Sequence, residues 1–130
     1  MSYQKQEAWR RLILRTEETA RAYEAHQKEK CGTGTCYLCT DPNTIEAYAH
    51  WRRIPNAYPY DRYFVKSDML VLKRHSDERG LSNEEREELT TLKETLSGDY
   101  DHLLENLPRQ QSIPHHYHIH LVTFARPTAA

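Results

Sequence analysis

The sequence predicts a single α+β domain. Two observations predict it: helical periodicity in two charged segments, and period-two or short apolar runs in several others. The length of 130 residues suits one compact domain, and it supports a core without obligatory metal or disulfide.

The elements follow in order. Residues 4–29 read as one long helix, because Trp9, Ile13, Thr16, Ala20 and Tyr23 recur at intervals of four and three among Arg, Lys and Glu. Such a helix packs on the domain or on a partner subunit. CGTGTC at 31–36 breaks it, and Cys36 and Cys39 frame a tight turn. IEAYAHWRRI at 45–54 is expected to contain a strand, with an Ala-rich turn of helix as the alternative. The prolines of IPNAYPY at 54–60 impose extended or turn geometry around Asn56. RYFV at 62–65 and DMLVLK at 68–73 read as two short strands joined by a turn at Lys66–Ser67. Ser82 and Glu85 have capping-box spacing and open a helix through Leu89, Leu92 and Leu96, which Gly98 ends. A short helix is expected over 99–106, before Pro108, and a strand after Pro114.

Composition excludes several classes. Hydrophobic residues make 38% and charged residues 28% of the chain, as in a folded globule and unlike a disordered chain. A net charge of −1 does not suit a general polyanion binder. No apolar run approaches the roughly 20 residues that cross a bilayer. MSYQKQEAWRRLILRTEE is charged throughout and lacks a signal-peptide core, so a cytoplasmic location is expected. In that reducing compartment Cys31, Cys36 and Cys39 are expected to serve metal or redox chemistry rather than disulfides.

The most informative stretch is SIPHHYHIHLV at 112–122. Four of the eight histidines fall within 115–120. At period two, His116, His118 and His120 share one strand face, and Tyr117, Ile119 and Leu121 share the other. Each neutral imidazole brings a donor and an acceptor to satisfy, so three on one face suit a cleft or a metal better than a core. Two chemistries fit: imidazole ligands on a metal, or an imidazole nucleophile with neighbours that fix its tautomer and hold anionic oxygens.

His116-Tyr117-His118-Ile119-His120-Leu121-Val122 resembles the His-φ-His-φ-His-φ-φ signature of the histidine triad family of nucleotide hydrolases and transferases, φ being apolar. Gln111-Ser112 resembles that family's phosphate-contacting pair, and MLVLKRH at 69–75 its strand ending in Lys-x-His. LSNEEREEL at 81–89 resembles the helix start that follows, and WRRIPNAYPYD at 51–61 the segment whose Asn lies at the ribose. The similarity spans about residues 36–124. Three residues separate Ser112 from His116, where many members have two, so His115 competes with His116 as first member; alternation favours His116.

The resemblance implies an antiparallel sheet of about five strands with packed helices, residues 31–130 forming the family domain and 1–30 a helical extension. It implies attack by His118 on the α-phosphate of a nucleotide conjugate, a nucleotidyl-histidine intermediate, and release to water or to another acceptor. His120 would hydrogen-bond phosphate oxygens. His116 completes the triad, Ser112 and Gln111 would contact phosphate, and Asn56 the ribose. A homodimer is expected by the same analogy. Some members, the hexose-phosphate uridylyltransferases among them, carry a structural zinc. Carried over, its ligands are Cys36, Cys39, His75 and His116, with Cys31 and His115 as competitors. His26, His50 and His102 are expected at the surface or on a helix face. Trp9 and Trp51 are expected in a core or interface, and the tyrosines of 58–63 in packing or base stacking. The alternatives are a zinc-stabilised nucleotide-binding or regulatory protein without catalysis, and a hydrolase with all three triad histidines on a catalytic metal. Without a basic tail, nucleic acid is not an expected partner.

Overall fold

Two central strands buried on both faces, at 69–72 and 119–122, organise the molecule, for which a computed structural model describes residues 14–30, 36–107, 113 and 115–125. In chain order the elements are α1 (Glu17–Lys30), the one-turn α2 (Tyr37–Thr40), β1 (Glu46–Ala47), β2 (Trp51–Pro55), β3 (Phe64–Leu72), a 3-10 turn at Glu78–Gly80, α3 (Asn83–Leu96), β4 (His102–Leu104) and β5 (His118–Phe124). The strands form one five-stranded sheet, ordered β1-β2-β3-β5-β4, with every neighbouring pair antiparallel. The expected α+β class and antiparallel sheet are thus present. β5 lies between β3 and β4, so the histidine strand has hydrogen-bonded neighbours on both sides.

Each face of the sheet buries its own cluster. On one face Trp51, Leu70, Leu72, Ile119 and Leu121 meet Leu89, Leu92 and Leu96 of α3. This is the stripe its sequence predicts. On the other face Ile54, Met69 and Val71 pack with Leu38 of α2, and Val122 packs with Tyr60 and Phe64. Trp51 is fully buried and its indole N–H donates to the Glu85 carbonyl at 2.9 Å.

Several expected elements differ. Arg15 and Thr16 are not helical, so the helix expected over 4–29 is interrupted there, and residues 1–13, Trp9 included, lie outside the described residues. The break has a local cause. The Thr16 hydroxyl accepts from Thr19 N–H at 3.4 Å, and the Asp61 carboxylate accepts from Thr16 N–H at 2.9 Å. These contacts make Thr16 an N-cap and start α1 at Glu17. The single strand expected over 45–54 is the pair β1 and β2 with a reversal between them. There Glu88 of α3 accepts from the N–H groups of Ala49 and His50.

The two short strands expected at 62–65 and 68–73 are one strand, β3. The polar Lys66-Ser67-Asp68 run is not a turn. Pairing with β5 jumps from Phe64↔Phe124 to Lys66↔Thr123, so Val65 is an extra residue in a bulge. Beyond it Ser67 is buried, its hydroxyl accepting from Tyr60 N–H at 3.0 Å. Asp68 accepts the Tyr100 hydroxyl proton. The helix expected over 99–106 is instead edge strand β4. Tyr100 is buried, Leu103 packs beside it, and Asp101 N–H donates to Val122 C=O at 2.9 Å, so completing the sheet outweighs local helix propensity.

The predicted capping box is present. The Ser82 hydroxyl accepts from Glu85 N–H at 3.1 Å, and Glu85 accepts from Ser82 N–H at 2.7 Å. Glu85 also accepts from Arg74 at 2.8 Å, which ties the loop after β3 to α3. Hydrogen bonds from Arg74 outweigh burial and hold the Glu85 carboxyl down at about 2. A depressed carboxyl contributes stability that is complete above its ordinary value and is lost as pH falls through the folded value. Glu85→Gln is therefore expected to cost about 1–2 kcal/mol at pH 7. The difference in Tm from the wild type should shrink as pH falls from about 4.5 to about 2. Thermal melts across that range check this, and a gap independent of pH would contradict it.

Candidate metal centre and histidine strand

Four side chains from three separate segments converge beside the first triad histidine. α2 is a single turn, closed by Cys39 N–H donating to Cys36 C=O at 3.1 Å, and it places both cysteines on one side. Leu38 between them is buried against Ile54, Met69 and Val71, and its carbonyl accepts from Arg52 at 2.7 Å. His75 follows β3 on the loop that Arg74 holds to Glu85 and to the Gly80 carbonyl. His116 is 1% exposed. The backbone pair Tyr117 N–H to Ser76 C=O, 2.7 Å, and Leu72 N–H to Tyr117 C=O, 3.2 Å, brings it to the same place.

The His116 ring is fixed by one bond. Its Nε2 lies 2.7 Å from the Leu72 carbonyl oxygen. A carbonyl only accepts, so Nε2 carries the proton and Nδ1 presents a lone pair. That lone pair faces Cys36 Sγ at 3.4 Å, Cys39 Sγ at 3.3 Å and His75 Nδ1 at 3.3 Å, while Cys39 Sγ and His75 Nδ1 are 3.2 Å apart. All four ligand atoms lie within 4.8 Å of one another. Donor-to-donor contacts this numerous cannot all be hydrogen bonds, because there are too few protons for them. Around a tetrahedral zinc with ordinary bond lengths, S···N separations are about 3.6 Å and N···N about 3.3 Å. The set can hold a metal ion and is compatible with structural zinc. Burial, and then the adjoining Cys36, push the Cys39 thiol up. A cation would reverse that, because metal ligation requires thiolate. Burial also pushes His116 down, toward the neutral form that ligates. His115 is exposed and is not in the cluster; Cys31 lies outside the described residues.

The other two triad histidines point into the sheet face that carries Met69 and Val71, their register partners on β3. This face, expected to line a cleft, is substantially covered: His118 is half-buried and His120 is 4% exposed. His118 Nδ1 lies 2.8 Å from the His116 carbonyl oxygen, so Nδ1–H donates and Nε2 keeps its lone pair. The His118 and His120 rings meet edge to face, 5.5 Å between centroids. His120 Nε2 is 3.1 Å from the Tyr60 hydroxyl, and its Nδ1 is buried without a hydrogen-bond partner among the described residues. Burial pushes both imidazoles down, His120 further than His118. Both are therefore neutral at pH 7.

Of the remaining expected site residues, Asn56 is half-buried and serves its own loop: its side-chain oxygen accepts from Tyr58 N–H at 3.1 Å. Gln111 and Ser112 lie outside the described residues. Of the tyrosines, Tyr60 is core and Tyr58 packs against Tyr23 and His26 of α1, while Tyr63 is exposed. Two residues escaped sequence reading. Arg15 is buried with its guanidinium over the Tyr23 and Tyr60 rings, at 4.3 and 4.6 Å. Asn106 donates to the Tyr60 hydroxyl at 3.0 Å. Neither belongs to a recognisable motif, because their meeting is purely tertiary. No helix among the described residues is long and apolar enough to cross a membrane.

Reduced protein is expected to bind one zinc ion per chain, and Cys39→Ser or His75→Ala to lower Tm by about 10 °C, since loss of a bound metal is loss of folding free energy. Metal analysis with thermal melts checks this. Equal melting of the metal-loaded wild type and both variants would remove the ion from the structure's support.

Searches against protein-family models, curated proteins and solved structures each return no match for this chain.

Proposed function

We propose that the chain is a nucleotide hydrolase or nucleotidyltransferase of the histidine triad type, acting on the α-phosphate of a nucleotide conjugate. One observation carries the reading: a neutral imidazole, His118, whose Nδ1–H is committed to the His116 carbonyl and whose Nε2 lone pair remains available. A carbonyl-anchored imidazole is pre-set as a nucleophile, because attack through Nε2 needs no prior deprotonation and the cation that forms is held by the bond already in place.

His118 Nε2 would attack the α-phosphorus. The Nε2–P bond forms as the bond to the leaving phosphate, amine or nucleotide breaks; the leaving group takes the bonding pair and, if an amine, a proton from solvent, while the Nδ1 proton stays on the His118 ring, hydrogen-bonded to the His116 carbonyl. Water then attacks the phosphoramidate and gives one proton to solvent, the N–P bond breaks, and a mononucleotide leaves with neutral imidazole restored. A phosphorylated acceptor in place of water makes the same chemistry a transfer. His120 supplies a hydrogen-bond donor for the phosphate oxygens, in a desolvated setting where such a donor is most effective. Asn56 at the ribose, and Gln111 with Ser112 at the phosphate, complete the proposed contacts. The metal centre, with zinc as its ion, is structural in this reading: it holds His116, and through the His116 carbonyl it holds His118. A homodimer and a cytoplasmic setting accompany the proposal by analogy alone.

Intact-protein mass after incubation with adenosine phosphoramidate or diadenosine polyphosphate, quenched without acid, tests it. One adenylyl group per chain is expected on the wild type and none on His118→Ala, which should keep its fold and lose at least about a thousandfold in turnover. Wild-type turnover by His118→Ala would sink the assignment. Stabilisation of both proteins by adenosine monophosphate, without adduct or turnover, would instead favour a zinc-stabilised nucleotide-binding protein.

A further inference from the structure

His120 has two ring nitrogens in unequal settings. Nε2 faces the Tyr60 hydroxyl at 3.1 Å, and Nδ1 is buried with no partner among the described residues. Which nitrogen carries the proton depends on Tyr60. The Asn106 amide N–H donates to the Tyr60 oxygen at 3.0 Å. The Arg15 guanidinium lies 4.6 Å from the Tyr60 ring centre, with its Nε donating to the Tyr58 carbonyl at 2.7 Å. Donors and positive charge therefore converge on the Tyr60 side of the pair. Burial nevertheless keeps the phenol raised, against the pull of Arg15 and Asn106, so it retains its proton at neutral pH. That proton has His120 Nε2 as its acceptor. The Tyr60 and His120 rings also stack, 4.4 Å apart at 32°, which limits rotation of the imidazole.

We propose that Tyr60, oriented by Asn106 and covered by Arg15, is a positioning residue that holds His120 in its Nδ1–H tautomer, so that the buried Nδ1 donates a hydrogen bond to an anionic oxygen of a group bound at His118. The donor chain runs Asn106 to Tyr60 to His120 to ligand. It makes a neutral imidazole a one-way donor. A buried imidazolium would also donate, but the same burial that covers His120 disfavours that charge, and the Arg15 charge adds to the effect. An unpartnered buried N–H is costly by itself, so it marks a place where a ligand acceptor completes the set. The role of this donor rests on the proposed reading of His118; the tautomer does not.

The test uses the full chain labelled with ¹⁵N-histidine. Long-range ¹H–¹⁵N correlation separates the two tautomers of each histidine without substrate. His120 of the wild type is expected as Nδ1–H, and Tyr60→Phe is expected to move it to Nε2–H or to a mixture, with the other histidines unchanged. In turnover of adenosine phosphoramidate, Tyr60→Phe should lose about tenfold or more in kcat with KM little changed, since a donor that acts mainly on transition-state charge is weakened. An Nε2–H tautomer in the wild type overturns the proposal whether or not Tyr60→Phe folds, and so does an unchanged tautomer in a folded Tyr60→Phe. If the tautomers behave as expected but the wild type neither turns over the phosphoramidate nor forms an adduct, the hydrolase reading fails while the Tyr60–His120 assignment stands.

Discussion

The hydrogen bond from His116 Nε2–H to the Leu72 carbonyl, 2.7 Å long, is the contact on which both candidate clusters depend. It spends the one ring proton of His116 and so turns the Nδ1 lone pair toward Cys36, Cys39 and His75. The backbone carbonyl of the same residue accepts the His118 Nδ1 proton at 2.8 Å. One residue thus joins the two clusters: its side chain ends in the metal set, and its main chain sets the tautomer of the candidate nucleophile. A partner that fixes the far nitrogen of a ligating histidine orients the ring and raises its basicity, which is the usual second role of such bonds.

The sheet supplies the rigidity this arrangement needs. β5 is hydrogen-bonded on both sides, so His118 and His120 are placed by a strand that cannot slip by one residue without exchanging its buried faces. Ile119 and Leu121 lock that register against the helix side, where they share a cluster with Leu92 and Leu96. On the histidine side, Tyr60 and Phe64 pack with Val122. The residues just before α1 bring in Arg15, so a segment distant in sequence covers the Tyr60–His120 pair.

The clusters are also linked to helix packing. Glu85 caps α3, accepts from Arg74 and presents its carbonyl to the Trp51 indole. Arg74 immediately precedes the metal-set residue His75, so the same carboxylate that starts a helix steadies one arm of the ligand set. Local capping and long-range assembly therefore share a side chain. An uncompensated loss there should be felt in both.

How much of this was legible in the sequence follows from the range of the forces involved. The alternation of His118 and His120 with apolar residues determined β5 and its faces, because period two is a property of the extended backbone itself, whereas His116, expected on the same strand face, lies in a bend before β5. Ser82 with Glu85 determined the start of α3 for the same reason: the capping bonds span three residues. The cluster that can hold a metal was legible only through resemblance, since Cys36 and His116 are 80 residues apart and nothing local demands their meeting. Where tertiary pairing competes with local signals, local signals lost. Lys66–Ser67 became paired residues of β3 just past a bulge at Val65, 99–106 gave strand β4 in place of a helix, and Thr16, bonded to Asp61, set the start of α1 at Glu17. The sequence by itself determined the α+β class, the histidine strand and the identities of the chemically capable side chains. Only the tertiary structure decided which proton each histidine carries and which buried neighbours surround it, because a tautomer is set by the carbonyl or hydroxyl opposite the ring, and that partner comes from another part of the chain.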